Sequence, residues 1–171
     1  MHRAANYILL FAVAAMLQIF FFNNLLLWSC FAPLVYIAFV VMLPLNAPSI
    51  VVLLAAMAMG VTMDLTMGTA ALNTIATLAT AYVRRPILNL TLGAEIVRDG
   101  GVPTMQRMGR RQFWQYLIIM VVVHCAIFFG FETFSLSNIW HQLARFAVSA
   151  SASVIFVALI IALFTPKHSQ R

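Results

Sequence analysis

Charge is what this sequence has least of. Four residues are acidic, 8% of the chain is charged, and between Arg3 and Arg84 the one charged residue is Asp64. A water-facing domain typically carries about 25% charged residues, so there is too little polar side chain here to coat a soluble globule. Cysteine is scarce as well: Cys30 and Cys125 both fall inside apolar runs, which excludes a disulfide framework. Also missing are a glycine-rich phosphate loop beside a strand, paired carboxylates within a span, and a Ser, His and Asp set at one depth. An enzyme would have to work with Asp64, Glu132 or His124 almost alone. The expectation is a non-catalytic protein with no cofactor and no metal, since His124 has no second ligand at metal-binding spacing.

What is present is apolar. Hydrophobic residues make up 64% of the 171 positions, and the mean hydropathy is +0.99. At about 20 residues per span, one transmembrane domain of six helices fits residues 1–171. The apolar blocks run over 7–22, 25–43, 50–63, 70–83, 113–131 and 146–164. They are apolar all round and do not alternate, so they read as helices and not as barrel strands. No small-residue cleavage site follows Phe22, so the first block is expected to be retained as a helix. The third and fourth blocks are short, which leaves tilted helices or a re-entrant hairpin open for 50–83.

The basic residues orient the bundle. Arg84, Arg85, Arg98, Arg107, Arg110 and Arg111 fall within 84–112, against only Glu95 and Asp99. That loop is expected to be cytoplasmic, and six spans put both termini on the same side in an inner membrane. Arg84, Arg85, Arg107, Arg110 and Arg111 are then candidates for contact with anionic lipid. Thr104 is placed to cap a basic surface helix with Met105, Met108 and Phe113 at helical spacing. The arginines flank spans and form no separate domain, so nucleic acid is not an expected partner.

A lone acid in an apolar stretch needs a partner or a task. For Asp64 the candidates are Arg145, predicted at comparable depth, and the nearby Thr66, Thr69 and Asn73. An equal alternative is that Asp64 caps the positive end of the fourth helix. His124 is expected to bond across to another helix, with Ser149, Ser151 and Ser153 as candidate partners. Ser149 and Ser153, with the alanines between them, form a small-residue surface for close helix approach. Gly60 and Gly68 are expected to pack closely beside the Asp64 turn.

Certain segments taken together resemble a known family. Tyr36-Ile37-Ala38-Phe39, Leu43-Pro44, Gly60-Val61-Thr62-Met63-Asp64-Leu65, Gly68-Thr69 and Arg85-Pro86 resemble, in order and spacing, the rod-shape-determining membrane protein family MreD in its Bacteroidetes-like form. Phe22-Asn23-Asn24, and Glu132-Thr133-Phe134-Ser135 following His124, extend the likeness over most of the chain. The resemblance implies a scaffold subunit of the cell-elongation, peptidoglycan-synthesis machinery. Its partners would be MreC, the synthase RodA with its transpeptidase and, indirectly, MreB. It also implies a six-helix fold like that of the substrate-binding subunits of energy-coupling-factor vitamin transporters. Two other functions fit the residues. One is a small-molecule-binding transporter subunit using Trp140, His141, Glu132 and Asp64; the other is a proton-linked carrier using Asp64.

Overall fold

The computed structural model describes residues 2–23, 32–132 and 139–164, and these are helical with short connections. α1 spans His2–Met16 and runs on as a π-helical stretch, Leu17–Phe22. α2 is the short Ile37–Met42, followed by α3 (Ser49–Met67), α4 (Leu72–Leu92), α5 (Ala94–Asp99), α6 (Met105–Met108), α7 (Arg110–Glu132) and α8 (Ile139–Phe164). Among the described residues, four helical stretches are long and apolar enough to cross a membrane: Ala5–Phe22, Ser49–Met67, Arg110–Glu132 and Trp140–Phe164.

The third and fourth blocks are longer than their apolar runs suggested. α3 has 19 residues and α4 has 21, so each is about 30 Å long at 1.5 Å per residue. Helices end where the backbone must turn, not where the first charge appears. Asp64 sits inside α3, which stops at Gly68 in the left-handed conformation (φ 66°). Arg84 and Arg85 sit inside α4, which continues through Pro86 and stops at Gly93 (φ 82°). The basic loop therefore begins at 93 and not at 84.

α4 escapes a hydropathy count because its polar face points inward. Asn73, Thr77, Thr80 and Arg84 recur at steps of four, three and four residues, and all four are buried. α4 packs between α3 and α7, which supply partners that lipid cannot. Gly60 allows the close approach of α3 and α4. A Cβ there would lie 2.4 Å from Thr77 Oγ1 and 2.5 Å from the Thr74 Cα.

The second block departs from the single helix expected over 25–43. Residues 24–31 lie outside the described residues, 32–35 form no helix or strand, and α2 occupies only Ile37–Met42. Every residue from Val35 to Met42 is buried, most of them completely. Pro33 explains part of the break, since a proline has no N–H and disfavours helix in the residue before it. This irregular segment and the short α2 run through the buried interior with longer helices around them.

The two ends of the bundle differ. Tyr7, Pro44, Asn46, Asp99, Gly101 and Phe164 line one cavity, so the start of α1, the end of α8 and the 43–48 turn meet the arginine-rich loop. That loop is held in place: Leu45 N–H donates to Gly101 O at 2.8 Å, and Gly100 leaves room for the Asn46 side chain. The expected surface helix after Thr104 is one turn, α6, with Thr104 Oγ1 accepting from Arg107 N–H at 3.4 Å. Gly109 (φ 80°) breaks it from α7. At the opposite end, Gln18, Phe22, Leu34, Met67, Phe128 and Arg145 border a second cavity.

Candidate functional site: a polar interior around an extended segment

Irregular backbone at membrane depth persists only where protein satisfies its hydrogen bonds. The segment 32–36 meets that requirement group by group. Ala32 N–H donates to Ser149 Oγ at 3.1 Å, and Leu34 N–H to Ser153 Oγ at 2.9 Å. Gln18 Oε1 accepts from Val35 N–H at 2.7 Å and from Tyr36 N–H at 3.3 Å, while Gln18 Nε2 donates to Pro33 O at 3.2 Å. Pro33 has no N–H, so no donor in the segment is left over. Gln18 sits in the π-helical stretch, where Asn23 N–H reaches back five residues to Gln18 O. Such insertions shift a side chain around the helix axis and recur at sites of special function.

The far end of the same element is clasped by a cation. Arg84 Nη2 donates to Leu43 O and to Pro44 O, and Arg84 Nε donates to Tyr116 Oη at 3.0 Å. Tyr116 Oη donates in turn to Val41 O at 3.1 Å. Carbonyls at the end of a helix carry partial negative charge, so Arg84 compensates the C-terminus of α2. This corrects the expectation that Arg84 touches lipid: it is 2% exposed. Arg85, Arg107, Arg110 and Arg111 are exposed.

Asp64 anchors the turn between α3 and α4. Its Oδ1 accepts from Thr69 Oγ1 (2.5 Å), Asn73 N–H (2.9 Å) and Asn73 Nδ2 (3.0 Å). Its Oδ2 accepts from Thr74 N–H (2.9 Å) and Thr74 Oγ1 (2.5 Å). Asn73 and Thr74 are the second and third residues of α4, whose N-cap, Ala71, has no capping side chain and sits at φ 62°. Asp64 supplies that missing cap from the preceding helix, and its charge lies at the positive end of α4. Of the open alternatives, the cap and the contacts to Thr69 and Asn73 are present. Thr66 bonds instead to Thr62 O and Met63 O, and Arg145 pairs elsewhere.

A chain of side chains leads from this turn to the core. Asn73 Nδ2 is committed to Asp64 and to Thr69 Oγ1 (2.8 Å), so Asn73 Oδ1 receives the hydroxyl proton of Tyr36 at 2.7 Å. The Tyr36 oxygen then accepts from His124 Nε2 at 3.0 Å, which assigns the imidazole proton to Nε2 by hydrogen-bond logic. His124 Nδ1 faces Thr80 Oγ1 at 3.3 Å, and the Tyr36 and His124 rings meet edge to face at 5.2 Å. The expected partners Ser149, Ser151 and Ser153 do not serve His124. Ser149 and Ser153 hold the extended segment, and Ser151 bonds to Ala147 O.

Arg145 borders the same cavity as the Asp64 turn but pairs elsewhere. Its Nη1 lies 3.0 Å from Glu132 Oε2 and its Nη2 lies 3.1 Å from Glu132 Oε1. Its Cζ stands 5.3 Å above the Phe129 ring. The pair is two-pronged because both residues sit where α7 ends and α8 begins, while Asp64 is saturated by its own turn. Gly68 is also corrected: a Cβ there would meet nothing within 4 Å, so it serves the left-handed turn and not packing. Gln18, Tyr36, Thr74, Thr80 and Tyr116 are the hydrogen-bonding residues of this interior that sequence reasoning did not name as site candidates.

No protein-family model, curated protein or solved structure matches this chain. The class of protein that fold and composition define is helical throughout its described elements, with four helices among them long and apolar enough to span a membrane.

Proposed function

We propose that this chain is a non-catalytic, multi-pass scaffold of the bacterial cytoplasmic membrane that joins the cell-elongation machinery through its helix faces. The observation that carries this reading is where the polar side chains go. Asp64, Asn73, Tyr36, His124, Gln18, Arg84, Tyr116, Ser149 and Ser153 each bond to another part of the same chain. The outward faces are apolar, including Ile8 and Phe20 before the extended segment, Leu54 and Leu65 on α3, and Leu159 and Leu163 on α8. A molecule built this way has a rigid interior and offers surfaces for other helices. The ordered likeness to the MreD family directs the choice among scaffolds, toward MreC and the RodA–transpeptidase pair, with MreB reached indirectly.

In this reading six elements cross the membrane: α1 with its π-helical extension, the apolar block 25–43 that contains α2, then α3, α4, α7 and α8. Both termini and the arginine-rich loop face the cytoplasm, and the exposed arginines rest against anionic lipid. The carrier alternative loses support because both Asp64 oxygens are already filled by five donors. The small-molecule alternative is favoured by one feature, the cavity of about 350 Å³ bordered by Glu132 and Arg145.

Depletion in the native bacterium tests the proposal. Rounded, swollen cells with delocalised wall synthesis are expected, and unchanged rod shape with normal wall incorporation refutes it. Ligand-dependent thermal stabilisation of the purified protein, with cell shape unchanged on depletion, would establish the small-molecule alternative instead.

A further inference from the structure

Where α3 and α4 part at the arginine-rich end, they leave a cleft of about 320 Å³ lined by Ser49, Leu53, Ala81, Tyr82, Arg85 and Pro86. Two groups in its wall have chemistry that the fold itself does not use. Arg85 is exposed, and its one contact is Nη1 to Ala47 O at 3.5 Å, the outer limit of a hydrogen bond. No acidic side chain pairs with it among the described residues; the ion pair there is Glu132–Arg145. Its neighbour Arg84, by contrast, is fully engaged with Leu43, Pro44 and Tyr116. The second group is the carbonyl of Tyr82. Pro86, four residues on and inside α4, has no N–H, so it cannot supply the helical bond this carbonyl would otherwise receive. Tyr82 and Pro86 both line the cleft. The site therefore combines a cation with no counterion among the described residues, a hydroxyl at Ser49, a carbonyl acceptor one turn of α4 away, and an apolar floor at Leu53 and Ala81.

We propose that this cleft binds a phospholipid whose headgroup carries an N–H donor, of the phosphatidylethanolamine type. The phosphate sits on Arg85 and Ser49, where a guanidinium makes strong charge-assisted bonds to phosphate oxygens. The ammonium donates to the Tyr82 carbonyl, and the start of an acyl chain lies over Leu53 and Ala81. Phosphatidylcholine offers the same phosphate and the same chains, but its quaternary nitrogen has no proton to donate. This site is independent of the scaffold reading, since it concerns only the lipid that the chain carries.

The test is native mass spectrometry of the full-length protein released from detergent, titrated with phosphatidylethanolamine and phosphatidylcholine of identical chains. The wild type is expected to retain the ethanolamine lipid about five-fold better, the effect of about one net hydrogen bond. Arg85→Gln, a change at an exposed side chain, is expected to weaken both lipids, whereas Arg111→Gln is expected to change neither. Pro86→Ala returns an N–H to the Tyr82 carbonyl and is expected to abolish the preference for ethanolamine while leaving phosphate-dependent binding. A melting temperature not lowered in any variant, and raised if at all in Pro86→Ala, separates lost binding from lost fold. Equal retention of the two lipids by the wild type overturns the proposal, as does retention by Arg85→Gln equal to that of the wild type. Soluble phosphorylethanolamine competing at the same concentration as the lipid would also overturn it, because the acyl floor would then contribute nothing.

Discussion

Replacing Asp64 by Asn changes one atom and removes one charge, and the structure dictates how the turn must respond. Oδ1 and Oδ2 together accept five hydrogen bonds, so one half of the new amide points an NH₂ at groups that are themselves donors. With the NH₂ at the Oδ2 position, the Thr74 hydroxyl can rotate and accept, but the Thr74 N–H cannot and is left without a partner. In the flipped orientation two donors are stranded, Asn73 N–H and Asn73 Nδ2, because Tyr36 fixes the Asn73 amide by donating to its oxygen. The first orientation is therefore adopted. It costs about 1–3 kcal/mol for one unpaired, part-buried donor and about 0.3–2 kcal/mol for the charge lost at the start of α4. Asp64→Asn should lower stability by about 2–4 kcal/mol, and Asp64→Ala, which strands both backbone donors of the cap, by about 4–5 kcal/mol. Reversible unfolding of the full-length protein by SDS titration in mixed micelles reads both values. An Asp64→Asn protein within about 0.5 kcal/mol of wild type would refute the capping role, since surface substitutions alone fall in that range. So would an Asp64→Ala protein no weaker than the Asn variant.

Three further outcomes follow from named contacts. Ala71→Gly relieves a left-handed backbone at φ 62° and should stabilise the protein by about 1 kcal/mol in the same titration; a loss of stability would contradict the strain. Gly60→Ala drives a methyl group against Thr77 Oγ1 and the backbone at Thr74, so it should cost about 1–3 kcal/mol by forcing α3 and α4 apart; neutral behaviour would show that the hairpin is looser than described. A double-substitution cycle of Glu132→Gln with Arg145→Gln should show coupling of about 0.5–1 kcal/mol, the range for a partly exposed pair. The cycle of Asp64→Asn with Arg145→Gln should be additive within about 0.5 kcal/mol, and coupling there would restore the Asp64–Arg145 pair.

The sequence carried the helices well and their interior chemistry poorly, for physical reasons. Long apolar runs mark helices because lipid gives the backbone no alternative, and α7 and α8 appear close to where their runs lie. The apolar runs end short of the ends of α3 and α4 because a charge interrupts each run, although Asp64 and Arg84 are both hydrogen-bonded inside the bundle. The stripe Asn73, Thr77, Thr80, Arg84 was visible as a spacing, and its period was the available signal that α4 turns a polar face inward. The broken second element left a weaker trace in Pro33. Nothing local foretold that Gln18 would serve the backbone at 33–36, or that Arg84 would reach Leu43 and Pro44, because those partners lie far along the chain. Depth makes Arg145 one candidate partner for Asp64 beside Thr69, Asn73 and the helix cap; depth sets which charges share a level, while the turn decides which are already satisfied.

The distance along the chain between the extended segment and its acceptors has a consequence for biosynthesis. Ala32 and Leu34 donate to hydroxyls 117 and 119 residues downstream. At about 5–20 residues per second, a ribosome needs about 6–24 s to synthesise that interval. For that time two amides emerge from the ribosome before their acceptors exist, so this stretch must wait in a sheltered place until α8 arrives. Chains truncated ahead of Ser149 should therefore be captured by membrane quality control even though every earlier helix is present, and the last helix to be made becomes the checkpoint for one of the first segments translated.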